Sequence, residues 1–120
     1  MIFGRISDAG FGRIAQTLES NYLRVFRGVG PRGAKDLKSS DDGMLGSGVY
    51  FYDHPYDARS YSSPGGGILY GKVPEEKAIV NGNVILVENP EDVIIEGLIP
   101  NEETFSVKQI NEFLGEDFSR

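Results

Sequence analysis

The sequence contains no cysteine and no tryptophan, and a single histidine among its 120 residues. Without cysteine there is no disulfide, no thiolate metal site and no cysteine nucleophile. With one histidine, a metal site would have to be built from oxygen ligands, and no acidic spacing resembles a calcium-binding loop. A Ser-His-Asp triad would have to use His54, which precedes Pro55 in a turn-like stretch and suits that role poorly. Positive charge is also scarce: twelve Lys and Arg against eighteen Asp and Glu give a formal net charge of −6. Binding to nucleic acid through clustered basic residues is therefore not expected. Protein targets and small ligands stay open, including anionic ones held by a local basic spot. Long apolar runs are missing, so no membrane span is expected. The N-terminus lacks the basic start and apolar segment of a secretory signal. The expected location is the cytoplasm.

What the chain does have is punctuation. Sixteen glycines and six prolines accompany 39% hydrophobic residues, a composition of short strands and turns rather than a helical bundle. The length suits one α+β domain over residues 1–120. Asp8 caps an expected first helix with Phe11, Ile14, Ala15 and Leu18 on one face. Tyr22-Leu23-Arg24-Val25-Phe26 reads as a strand leading into Arg27-Gly28, and Val29–Gly43 as a long loop, a feature that tends to be functional inside a compact domain. Lys35 and Lys38 in that loop could meet phosphate or simply be solvated. Further strands are expected at Ile68–Val73, Lys77–Val80, Val84–Val87 and Val93–Ile95, with Asn81-Gly82 as a hairpin signal. Ser106 opens a last helix with Gln109 in capping-box position and Val107, Ile110, Leu114 and Phe118 as its buried stripe.

The chain is organised around Gly46–Tyr61. Two closely spaced glycines lead into the strand Val49-Tyr50-Phe51-Tyr52, a turn at Asp53-His54-Pro55 and a short helix ending in Tyr61. Pro55 fits the first helical position, with Asp53 or His54 as the cap. This arrangement can bring Tyr50 and Tyr61 to one pocket, where two phenol rings could grip a flat heteroaromatic ligand. The same rings also read as ordinary core.

Arg27-Gly28, Gly46-Ser47-Gly48-Val49-Tyr50-Phe51, Tyr61 and Ile68-Leu69-Tyr70-Gly71-Lys72-Val73 stand in an order that resembles the ADP-ribosyltransferase superfamily. The branch most similar is that of diphtheria toxin and the poly(ADP-ribose) polymerases, with Arg-Gly where that branch usually has His-Gly. The resemblance implies a compact α+β fold with a split β-sheet core and short helices. It implies NAD as substrate, no metal, and transfer of ADP-ribose to a protein or other macromolecule with release of nicotinamide. Gly28 would offer its backbone to the nicotinamide carboxamide, Tyr61 would stack on the nicotinamide ring, and Tyr50 would line the pocket beneath. Arg27 would hold the ribose or diphosphate, a task its fork suits. Members this small tend to be bacterial or phage effectors and toxins, which would place the protein in a host cytoplasm.

The chain departs from this pattern at the catalytic acid. The family sets a glutamate at the start of a late strand to stabilise an oxocarbenium-like state. Aligning that strand with Val84–Val87 puts Asn83 there, with Asn81 two residues earlier. Asn83 could hydrogen-bond a ribose hydroxyl but brings no negative charge. Glu88 is the best replacement among the nearby acids Glu75, Glu76, Glu88, Glu91, Asp92 and Glu96. Asn81 and Asn83 also read as plain turn residues, and the acids as a solvated edge. Three functional readings follow: a transferase, an NAD glycohydrolase with water as acceptor, and a degenerate module that binds NAD, ADP-ribose or a protein without chemistry. A fourth is an unrelated α+β interaction module.

Overall fold

The computed structural model describes residues 21–33 and 47–119. The expected helix with Asp8, Phe11, Ile14, Ala15 and Leu18 lies outside the described residues, as do Gly46, Lys35, Lys38 and most of the Val29–Gly43 loop.

The described chain forms a mixed α+β structure. Strand β1 is Tyr22–Val29 and β2 is Val49–Tyr52. A short helix α1, Pro55–Ala58, tightens into a 3₁₀ turn at Arg59–Tyr61. Strands β3 (Gly67–Pro74), β4 (Ala78–Asn81), β5 (Val84–Val87) and β6 (Ile94–Pro100) follow, and helix α2 spans Val107–Leu114. The six strands make one sheet in the order β4-β5-β2-β1-β3-β6, with every neighbouring pair antiparallel.

Alternation of side chains sorts the buried residues onto two faces. Val25, Val49, Phe51, Val73, Ile85 and Val87 cluster on one. Phe26, Ile68 and Ile99 cluster on the other, beneath Ala58 of α1 and Ile110 of α2. Val25 and Phe26 are adjacent and both buried, as expected of a strand near the middle of a sheet. Burial of each large apolar side chain contributes roughly 1.5–3 kcal/mol.

Three local outcomes differ from expectation. The hairpin loop is Gly82-Asn83 rather than Asn81-Gly82, because Asn81 still pairs with Val84. The strand expected at Val93–Ile95 starts at Ile94 and runs on to Pro100 along β3. Helix α2 stops at Leu114, where Gly115 adopts a left-handed conformation (φ 70°) open to glycine. Phe118 is therefore not part of the helical stripe. It returns on a turn in which Asn111 Oδ1 accepts from the Phe118 backbone N–H and Asp117 Oδ1 accepts from the Ser119 backbone N–H. Its ring meets Phe26 and His54 edge-on at 5.7 and 5.8 Å. The Arg24 guanidinium lies over it and pairs with Glu116.

α1 starts as the sequence suggests. Pro55 stands at its first position and His54 is the cap, its Nδ1 accepting the Tyr56 backbone N–H at 3.1 Å. With Nδ1 accepting, Nε2 carries the proton and donates to the Phe118 carbonyl at 2.7 Å.

Candidate active site

Strand β1 is held unequally on its two sides. Against β3 it pairs along its whole length, from Tyr22 opposite Pro74 to Val29 opposite Gly67. Against β2 the pairing is Phe26 opposite Tyr52. Continued in the same register, Phe51 would face Arg27 and Tyr50 would face Gly28. Instead the Arg27 side chain spans the seam, its Nη1 donating to the Tyr50 carbonyl at 2.7 Å. A cleft of about 450 Å³ opens there, lined by Arg27, Gly28, Tyr50, Phe51, Tyr52, Tyr61 and Val84. That is within the size of small-ligand sites.

Arg27, Gly28, Tyr50 and Tyr61 thus share one cleft, and the structure adds Tyr52. Val49 and Phe51 are buried, so Tyr50 and Tyr52 point the other way along β2. Tyr52, not Tyr50, stacks with Tyr61: the centroids are 5.9 Å apart, the planes 18° from parallel, and the hydroxyls 3.4 Å apart. A flat ring inserted between two others needs roughly 7 Å, twice a carbon contact of ~3.5 Å. The two tyrosines therefore leave no room for a planar ring between them, and only the outer faces of the pair are open to one. Tyr61 is 62% exposed and forms the mouth. The hydrogen bond with Tyr61 is the main cause holding the Tyr52 phenol above its ordinary range; burial and the neighbouring Tyr61 and Asp57 add to it.

Gly28 has a structural reason to be glycine. A Cβ there would come within 2.1 Å of the Ala58 carbonyl oxygen and 2.8 Å of the backbone at Tyr61 and Ser62. This close approach lets α1 and its 3₁₀ turn lie directly on β1, which brings Tyr61 over the seam.

Arg27 is half-buried and, among the described residues, has no ion-pair partner. Burial alone pushes its guanidinium below the ordinary arginine range, yet it stays charged at neutral pH. A desolvated cation with no carboxylate partner among the described residues is chemically suited to an anion.

The two acid-position candidates are separated. Asn83 lies in the exposed β4–β5 loop, next to Val84 of the cleft wall, and its Nδ2 donates to Asp57 Oδ2 at 3.1 Å. Asn81 ends β4 opposite Val84. Glu88 is exposed beyond the other end of β5, four residues from Val84 and so about 13 Å along the strand. The structure does not bring Glu88 to the cleft.

The sequence did not single out Tyr52 and Val84, which line the cleft, or Asp57, which accepts from Asn83. Tyr52 was accessible from the two-residue alternation with Tyr50, and Asp57 from its place four residues before Tyr61. Among the described residues, no group of three His, Asp or Glu converges to hold a metal ion, and no helix is long and apolar enough to cross a membrane. Compared with family models, curated proteins and solved structures, the chain matches none.

Proposed function

We propose that this cleft binds NAD by its nicotinamide end and that the protein transfers ADP-ribose to a protein or other macromolecule, releasing nicotinamide. The observation that carries this reading is the juxtaposition of exposed tyrosine faces with the half-buried Arg27, which has no ion-pair partner among the described residues. NAD presents matching chemistry: a flat pyridinium cation, which electron-rich phenol faces attract, and an anionic diphosphate, which a guanidinium fork holds bidentately. The opening of the sheet between β1 and β2 and the order Arg27-Gly28, Tyr50, Tyr61, β3 support the resemblance stated above. In this reading Tyr61 and Tyr52 form the stacking platform, Tyr50 lines the pocket, Gly28 forms its floor and Arg27 binds ribose or diphosphate. The reaction needs no metal and takes place in a cytoplasm, that of a host if the protein is a bacterial or phage effector.

A second reading, a module that binds NAD or ADP-ribose without cleaving it, is favoured by one observation. Among the described residues, no carboxylate lines the cleft, and the position aligned with the family's glutamate holds Asn83. A glycohydrolase differs from the transferase only in using water as acceptor.

The test uses purified protein, NAD labelled on its adenylate half and a bacterial lysate, with nicotinamide release and label fixation followed together. Release with label fixed to a macromolecule, both lost in Tyr61→Ala, establishes the transferase. Release without fixation in lysates and purified candidate acceptors means a glycohydrolase. Binding without release establishes the non-catalytic module, and absence of NAD binding removes all three.

A further inference from the structure

Among the described residues, none that lines the cleft is a carboxylate, but one carboxylate stands beside it. Asp57 is the third residue of α1 and half-buried. Four residues separate it from Tyr61, so both lie on one side of the helical path. An acid in a first helical turn is ordinarily explained by the helix dipole. Here its Oδ2 also accepts from Nδ2 of Asn83, on the loop leading into β5, at 3.1 Å. Asn83 is joined to α1's approach a second time, because its carbonyl accepts the Asp53 backbone N–H at 3.1 Å. Asp57 also acts on the phenol of Tyr52, which lines the cleft opposite Val84. Helix α1 and the start of β5 thus converge on one carboxylate next to the stacked tyrosines.

We propose that Asp57 is the catalytic carboxylate of the ADP-ribosyl transfer, supplied from α1 instead of from β5, and that Asn83 is the residue that positions it. This rests on the NAD-cleaving reading above. In the reaction the bond between the ribose C1′ and the nicotinamide nitrogen breaks. Its electron pair leaves on the nitrogen, so the pyridinium departs as neutral nicotinamide and the ribose carries the positive charge. A hydroxyl or amine of the acceptor forms the new bond to C1′ and loses its proton to Asp57 or to water. Asp57 offsets the charge on the ribose as it develops. Asn83 does not replace a glutamate in this scheme. Its amide holds the aspartate in place.

The experiment measures nicotinamide release and NAD affinity separately. Asp57→Asn lowers kcat by about 100- to 1,000-fold while the NAD Kd stays within about threefold. Asp57→Glu recovers part of the loss, and added formate restores activity to Asp57→Gly, a rescue that a purely structural aspartate would not permit. Asn83→Ala, in an exposed loop, lowers kcat on the order of tenfold with Kd unchanged, and has no further effect in the Asp57→Asn background. This variant changes no residue of α1, so it decides the matter even where Asp57 variants fold poorly. Wild-type release that survives Asp57→Asn or Asn83→Ala within threefold overturns the inference and leaves the NAD reading standing. Wild-type binding without any release overturns the inference and leaves a binding module. No NAD binding by the wild type overturns both.

Discussion

The two sides of strand β1 teach different lessons about one stretch of backbone. Toward β3 the ladder runs unbroken, and the side chains behind it, Phe26 and Ile68 among them, are almost fully buried. Toward β2 the ladder is reduced to Phe26 and Tyr52, and beyond that point a side chain, Arg27, reaches across to the Tyr50 carbonyl. Stability is concentrated where backbone meets backbone. The candidate site lies where the strands part, because only there does a sheet expose polar backbone, a cation and ring faces together.

This contrast can be broken from either side. The largest effect belongs to the closed side. Ile68→Ala, at a site with no exposure, costs roughly 2–5 kcal/mol in denaturant unfolding. The folded fraction should bind NAD as tightly as the wild type, measured by calorimetry. Gly28→Ala comes next, at about 1–3 kcal/mol. Its methyl group would displace α1, so this variant should also lose NAD affinity, which separates it from Ile68→Ala.

Arg27→Met sharpens the comparison by dividing stability from binding. Removing a desolvated charge that has no ion-pair partner among the described residues leaves the unfolding free energy unchanged or raised. NAD affinity falls by about 10- to 100-fold, the loss of a charge-assisted hydrogen bond. A large drop in stability would show instead that the bond to Tyr50 holds the seam shut.

The smallest effect is read by tyrosinate absorbance at alkaline pH. The folded state raises the Tyr52 phenol and so holds its proton more tightly than the unfolded chain does. That contribution to stability is present below the ordinary phenol value near 10 and is lost as pH rises through the folded value. Tyr61→Phe keeps the ring but removes the hydroxyl partner. One late-ionising tyrosine should then move back toward 10, and the alkaline loss of stability should flatten.

Much of the described fold was legible because local rules and packing agree there. The run from Val49 to Tyr61 combines strict alternation, a capping histidine and a proline at the first helical position, each pointing to the same outcome. Agreement failed where one signal imitated another. Ile110, Leu114 and Phe118 are spaced four apart and imitate a continuing helix, but Gly115 turns the chain and brings Phe118 to the same cluster by another route. Asn-Gly marked the hairpin but not its register, which cross-strand pairing of Asn81 with Val84 sets. Four residues of the cleft lining, Arg27, Gly28, Tyr50 and Tyr61, were legible in the sequence, but the partnerships around them were not. That Tyr52 rather than Tyr50 meets Tyr61, and that Asp57 meets Asn83, depends on how α1 settles on the sheet. No spacing along the chain encodes that distance.

His54 is engaged at both ring nitrogens, by the Tyr56 amide that starts α1 and by the carbonyl of Phe118, 64 residues away. The helix that carries Asp57 and Tyr61 is therefore moored to a distant part of the chain. Displacing the segment around Phe118, by a bound protein, a fused tag or a protease, removes the partner of His54 Nε2 and so should loosen the start of the helix that carries Tyr61 to the cleft. By reciprocity, a ligand resting on the outer face of Tyr61 and favouring this position of the helix would tighten that mooring. The segment after α2 is in this sense a remote handle on the cleft.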